Sequence, residues 1–438
     1  MNNMSVSQET SWRRTLLRAR MGLQRIAQNK HSALIILGVF AIYCFLWLFH
    51  VPIFGMDRAS MMFGMMNFFI NISFLTVGLV SLSAGLLAAG TPKGAFSLER
   101  DLLRAGIVNH SGEPPLLVSI ENKDGVKIIE LDTYGIPLSL FLERQAEIEN
   151  ALDLFVAKIE DGTTNRRIIL HTVPSSQKLK NRLLWQDQYL PQDEPGSFQL
   201  ALGESVLGKY CVDFAITPHL LLGGSTGSGK SVLLRSLCWQ AREKGATVII
   251  CDLKGGVDYP RSWKNSFHFA TTENNVLALL ERLEKQLNVR KEYLEAADCA
   301  NIDDYNAKCD KKLRRLFFVC DEVAELLDPS GLSKEKRRDI DRFVGLLATL
   351  ARQGRAFGIH LILATQRPDA NVIPGQIKSN IDIRVCGRAD KILSKIILDN
   401  EDAADKIKKT AQGRFLANDG TLLQGYWFDP TAMPLADK

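Results

Sequence analysis

A chain of 438 residues with 46% hydrophobic content has room for about two or three domains and enough apolar side chain to fill their cores, which excludes a disordered or fibrous protein. Its formal net charge of +5 permits a polyanionic partner without requiring one. The eight cysteines, Cys44, Cys211, Cys238, Cys251, Cys299, Cys309, Cys320 and Cys386, form no CxxC pair and several stand in apolar runs, so they read as reduced packing residues of a reducing cytosol.

The chain opens with Arg13, Arg14, Arg18, Arg20, Arg25 and Lys30 against one acid, Glu9. Two apolar stretches follow, from Ala33 to about Phe54 and from about Phe63 to Ala89. At a rise of about 1.5 Å per residue each can cross a hydrocarbon core of roughly 30 Å. The first is too long for a signal peptide and shows no small-residue cleavage site. Both are therefore expected to be transmembrane helices. Their connection, His50 to Met62, holds one basic residue, Arg58, so the positive-inside rule puts both termini in the cytoplasm of a two-span cell-membrane protein. In the second stretch Asn67, Asn71, Gly78, Ser81 and Gly85 share one helical face, a polar and small-residue stripe that packs on another helix or lines a conduit.

After Pro92 the character is soluble. Leu116 to Asn122 and Val126 to Leu131 are β-rich runs joined by Lys123-Asp124-Gly125, a hairpin signature. Pro137 precedes an amphipathic segment over Leu138 to Ile159, and Arg167 to Val173 reads as a further strand. This is a small α+β module with no catalytic constellation.

From about Gln199, short apolar strands alternate with helices. Strands are expected at Leu220 to Leu222, Thr247 to Asp252, Leu316 to Cys320, His360 to Ala364 and Asp382 to Cys386, and helices from Lys230, over Asn275 to Ala297, and over Ile340 to Gln353. That alternation implies an α/β fold with a parallel sheet covered on both faces.

Gly224-Ser225-Thr226-Gly227-Ser228-Gly229-Lys230-Ser231 fits the Walker A form GxxxxGK[ST] after an apolar strand and at the start of a helix. Backbone N–H groups of such a loop wrap the phosphates of ATP, Lys230 neutralises β/γ charge, and Ser231 offers an oxygen to Mg²⁺. The strand Leu316 to Cys320 ends in Asp321 and Glu322, which supply a Mg²⁺ partner and a general base for the attacking water. A glutamate in that place favours hydrolysis over nucleotide-gated switching.

Two blocks, PHLLLGGSTGSGKS from Pro218 to Ser231 and ARQGRAFGIHLILATQRPD from Ala351 to Asp369, with Val372 to Asp399 behind them, resemble the motor domain of the FtsK/SpoIIIE family. The resemblance covers about Gln199 to Phe428 and implies a RecA-like P-loop motor over 199–438. The module at 91–198 resembles the family's adaptor domain, behind two transmembrane helices over 33–90 and a basic cytoplasmic N-terminus over 1–32. It also implies that Gln366 senses the γ-phosphate and that Arg355, with Arg352 as the alternative, reaches a neighbouring subunit's ATP in a homo-hexameric ring. Arg367, Lys378, Lys391 and Lys395 fall where the family places DNA-contacting cations in the central channel.

The chain ends at Lys438 with no module for reading orienting sequences, and has a short two-span anchor. In this it is most similar to the compact coupling proteins of conjugative elements, the TcpA group. That implies an ATP-driven DNA translocase working with a relaxase or channel proteins of conjugation. Alternatives are a chromosome or plasmid segregation pump of the FtsK/SpoIIIE type and a type VII protein-secretion ATPase, whose chains string several ATPase modules together. The strandedness of the DNA and the direction of movement stay open.

Overall fold

The computed structural model describes residues 2–28, 30–53, 62–177, 179–328, 334–367 and 373–431. They belong to two compact units, Met1–Ser176 and Gln177–Lys438. Arg58, Asp369 and Lys438 of the sequence reading lie outside the described residues.

In the first unit one helix among the described residues, Phe63–Gly90, is long and apolar enough to cross a membrane. The other expected span is helical over Lys30–Leu48 and breaks at Phe49, and its described apolar run is Gly38–Leu48. Pro52 has no N–H to give the Leu48 carbonyl, which interrupts the helix at Phe49 before one further turn, His50–Ile53. Of the two expected spans, length and composition thus support one. Asn67, Asn71 and Gly78 of the stripe on Phe63–Gly90 meet the shorter helix and the turn after it, while a Cβ at Gly85 would face open space. Asn71 Oδ1 accepts from Trp47 Nε1 at 2.8 Å, His50 Nε2 lies 2.7 Å from Asn67 Oδ1, and Gly78 leaves room for the Tyr43 ring.

The rest of this unit is an antiparallel sheet of β1 (Leu116–Lys123), β2 (Val126–Asp132), β3 (Leu154–Asp161) and β4 (Arg167–Pro174), in the order β1-β2-β4-β3. The hairpin turn forms as the sequence indicates, with Asp124 at φ +51° and Gly125 at φ +81°. The amphipathic segment does not run to Ile159. Helices Leu138–Glu143 and Gln145–Leu152 stop at Asp153, whose left-handed φ of +50° turns the chain into β3.

The second unit starts before Gln199. β5 (Leu183–Leu184) pairs with the last strand, and Trp185 is buried among Trp239, Tyr426 and Phe428. The residues from Gln177 onward, which the sequence reading groups with the preceding module, fold here. Then come β6 (Gln199–Ser205), β7 (Gly208–Asp213), β8 (His219–Gly223), β9 (Thr247–Cys251), β10 (His268–Ala270), β11 (Leu316–Cys320), β12 (Ile359–Thr365), β13 (Ile383–Gly387), β14 (Arg414–Ala417) and β15 (Leu422–Trp427). Their order is β10-β9-β11-β12-β8-β13-β14-β15-β6-β7.

Neighbours from β10 to β13 are parallel and those from β13 to β7 antiparallel, so the sheet is mixed rather than wholly parallel. Two of the antiparallel pairs, β6–β7 and β14–β15, are hairpins closed by tight turns such as Asn418-Asp419-Gly420, whereas β13 reaches β14 through helices Lys391–Leu398 and Asp402–Lys406. Helices Lys230–Glu243, Glu273–Ala296 and Lys334–Gln353 cover the sheet, and one apolar core fills each face. Every residue of β8 and β12 is buried, as a strand sealed on both sides must be.

Two of those buried residues are histidines. His219 Nε2 donates to the Ala351 carbonyl at 2.9 Å while its Nδ1 accepts from Leu361 N–H at 3.0 Å, which fixes the neutral ring. Burial pushes its pKa down to about 4, and burial with the nearby Arg315 charge pushes that of His360 well below the ordinary value. The unfolded chain therefore takes up protons that the folded one refuses. Stability is full above the unfolded histidine value and falls as pH drops through it, by about 2 kcal/mol for His219 between about pH 7 and pH 5. Denaturant titrations at the two pH values, followed by tryptophan fluorescence, test this, and equal midpoints contradict it.

Candidate functional site

The C-terminal ends of β8, β9, β11, β12 and β13 open on one edge of the sheet, and the chemistry gathers there. β8 runs into the loop from Gly224 to Gly229 and the loop into helix Lys230–Glu243. Gly229 caps that helix at φ +100°, and a Cβ there would stand 3.0 Å from Gly413 Cα, so only glycine fits. The loop is held from outside by Arg388, at the end of β13. Its Nη2 donates to the Thr226 carbonyl at 2.6 Å and its Nη1 to the Lys409 carbonyl at 2.7 Å, while the Arg388 carbonyl accepts from Ser225 N–H at 2.8 Å.

Lys230 is buried at the mouth of the helix. Its Nζ donates to Asp321 Oδ1 at 2.6 Å and to the Asp321 carbonyl at 2.5 Å. Ser231 Oγ donates to Asp321 Oδ2 at 3.3 Å. The lysine and serine of the loop thus both meet the first acid after β11. Asp252, at the end of the adjacent β9, is 4% exposed and its Oδ2 has no hydrogen-bond partner, while Oδ1 accepts from Lys254 N–H at 2.9 Å. Burial pushes the Asp252 carboxyl up. A desolvated carboxylate oxygen of this kind asks for a cation or its water.

Glu322 is 6% exposed and held on both oxygens. Oε1 accepts from Thr365 Oγ1 at 2.7 Å and Oε2 from Gln366 N–H at 3.0 Å. Both donors sit at the end of β12, between the strand that carries the acids and the strand that carries the loop. Gln366 Oε1 in turn accepts from Thr226 Oγ1 at 3.1 Å, so the glutamine touches the phosphate loop and the glutamate together. Burial pushes the Glu322 carboxyl up, and the bonds from Thr365 and Gln366 with the Lys230 charge pull the other way.

The other residues singled out from the sequence lie elsewhere. Arg352 and Arg355 are exposed at the start of β12 and line a cavity of about 570 Å³ with Asn301, Asp303 and Asp304. At about 3.3 Å per strand residue they stand roughly 20 Å from Thr365 at the site end. Arg367 donates to Asp328 at 3.0 Å, Lys378 pairs with Asp399, and Lys391 and Lys395 close on Glu401 at 2.5 and 2.6 Å. Those two lysines pull the Glu401 carboxyl down to about 2. Asp252, Thr365 and Arg388 are functional candidates that the sequence reading missed, Thr365 and Arg388 because their partners lie far away along the chain and Asp252 because only strand pairing sets it beside Asp321.

A glycine-lined loop between strand and helix, a lysine and serine on one acid, and a second acid held by an intervening strand define a P-loop NTPase equipped for hydrolysis. The FtsK/SpoIIIE family model matches residues 184–370. The conjugation coupling protein TcpA of pCW3, solved in monomer form with ATPgS, matches with a TM-score of 0.57 and 32% identity over 78% of this chain and 98% of that one. The DNA translocase FtsK of Treponema pallidum (strain Nichols) is 32% identical over 293 residues, 62% of this chain and 35% of the relative. That of Campylobacter jejuni (strain ATCC 700819 / NCTC 11168) is 28% identical over 285 residues, 60% of this chain and 28% of the relative. The chain belongs to the FtsK/SpoIIIE family and carries its nucleotide-binding P-loop ATPase motor domain. It spans about a third of the length of those two curated relatives.

A Glu322→Gln chain is expected to bind ATP and lose about a hundredfold or more of its turnover. Thr365→Val removes a hydrogen bond that favours the carboxylate. Glu322 then keeps its proton to higher pH, and the acid limb of the rate profile moves upward relative to wild type. ATPase rates across pH check both, and an unmoved limb contradicts the role given to Thr365.

Proposed function

We propose that this chain is a membrane-anchored, ATP-driven DNA translocase that serves as the coupling protein of a conjugative transfer channel. One observation carries the reading: an intact hydrolytic site stands on a chain that aligns with nearly the whole solved chain of a conjugation coupling protein. The FtsK relatives are DNA translocases, which supports DNA as cargo and keeps a segregation pump as the second reading.

The chemistry follows from the site. Lys230 leaves Asp321 for the β- and γ-phosphates of ATP, while the loop N–H groups wrap the chain of phosphates. Ser231 and Asp321, with the unpartnered Asp252 oxygen behind them, fit a Mg²⁺ ion, whose charge would offset that of the phosphates. Among the described residues no three His, Cys, Asp or Glu side chains form a cage, as suits a cation that keeps waters and phosphate oxygens as ligands. Glu322, aimed by Thr365 and the Gln366 N–H, takes the proton of the attacking water. Gln366 then reports loss of the γ-phosphate through Thr226.

Arg355 and Arg352 lie at the far end of β12 from their own loop, so either reaches nucleotide only in another copy, as a hexameric ring provides. Arg367, Lys378, Lys391 and Lys395 are cations whose partly exposed carboxylate partners DNA phosphates can replace, since surface ion pairs are worth little. The helix Phe63–Gly90, with Lys30–Leu48 packed beside it as a second span, forms the anchor, with both chain ends in the cytoplasm.

ATPase activity of the full chain in lipid nanodiscs, with and without single- and double-stranded DNA, tests the reading. Stimulation that shrinks as salt rises is expected. Indifference to both forms of DNA contradicts it. Arg355→Ala is expected to cost on the order of a thousandfold in turnover while leaving nucleotide binding in place. The same loss in Arg352→Ala alone moves the trans-acting role to that residue.

A further inference from the structure

The loop and its acids account for the phosphates of a nucleotide and leave its other end unassigned. The γ-phosphate end is fixed by Glu322 and Gln366. On the ATPase reading the phosphate chain lies over the first N–H groups of helix Lys230–Glu243, which leaves the nucleoside to the flank of the loop away from Glu322 and Gln366. A cavity of about 420 Å³ opens there, within the range of small-molecule pockets. Gly229, Val232 and Leu233 form its inner wall, and Phe415, Arg182 and Trp427 line it from β14, the approach to β5, and β15.

Trp427 is the unusual member. Trp185, Trp239 and Trp263 of the same unit are at most 7% exposed, whereas Trp427 is 44% exposed. The Arg182 guanidinium lies 4.5 Å from its ring centroid, giving a flat cationic and aromatic pair with no apolar core to fill. The frame around it is rigid. Gly413 N–H donates to the Ser228 carbonyl at 2.9 Å and Gly425 N–H to the Gly413 carbonyl at 2.7 Å, which ties β15 to the phosphate loop. Gln424 is locked between the Gln412 carbonyl and Arg414 Nε, each at 3.0 Å. Gly425 keeps the space open, since a Cβ there would stand 2.9 Å from the Phe415 ring.

We propose that this cavity receives the purine base of the nucleotide, stacked on the Trp427 and Arg182 pair and packed against Val232. The assignment rests on the ATPase reading of the loop. It makes Trp427 and Arg182 binding residues for the nucleoside, with no part in holding phosphate.

Two ligands separate the two ends of the site. Calorimetric titration of the full chain in nanodiscs with ATPγS reads base and phosphates together, and inorganic tripolyphosphate reads the loop alone. Trp427→Ala and Arg182→Ala are each expected to weaken ATPγS about tenfold while leaving tripolyphosphate within about twofold. Trp427→Phe, which keeps a stacking face, is expected to restore most of the affinity. Unchanged ATPγS affinity in both alanine variants overturns the proposal, as does equal weakening of the two ligands, which marks a loss of fold. Lys230→Ala is expected to lose both ligands, and its failure to do so would instead overturn the P-loop reading.

Discussion

Strand β12 stands between the strand that ends in the phosphate loop and the strand that ends in the acids, and the catalytic arrangement depends on that placement. Its last residue, Thr365, and the next N–H, Gln366, hold both oxygens of Glu322, while the Gln366 side chain reaches Thr226 of the loop. Without an intervening strand the acids would adjoin the loop directly, with nothing between them to position the glutamate. The two buried histidines reinforce the same seam. Leu361 N–H donates to His219 of β8, and His360 of β12 lies 3.2 Å from Arg315, which leads into β11.

The antiparallel half of the sheet has a separate task. β14 and β15 bring Phe415, Gly425 and Trp427 alongside the loop, and Arg388 closes it from β13. The parallel half thus handles the reacting end of the nucleotide, and the antiparallel half frames the rest.

Whatever depends on near neighbours in the chain was legible beforehand. Gly224 to Ser231 announces a phosphate loop because the spacing is itself the geometry, and Asp124-Gly125 announces a turn because both residues tolerate positive φ. The acids after Cys320 were legible once the loop was known. Thr365, Asp252, Arg388 and Trp427 were not, because each acquires its role from a strand neighbour that only the folded sheet supplies. Asp153 ended a helix that amphipathic spacing would have carried further, since spacing records which face is apolar and not where the backbone turns. Hydropathy likewise ran through Phe49, where Pro52 interrupts the helix, because it records how apolar a stretch is and not where its hydrogen-bond ladder is cut.

The pairing of Lys230 with Asp321 ties the phosphate loop to the acid-bearing strand through charge. Both side chains are buried, at 7% and 4% exposed, so each is what makes the burial of the other tolerable. Removing one partner alone strands the other as an uncompensated buried charge, at a cost of about 3–5 kcal/mol, so these two residues carry the cohesion of the sheet edge as well as its chemistry.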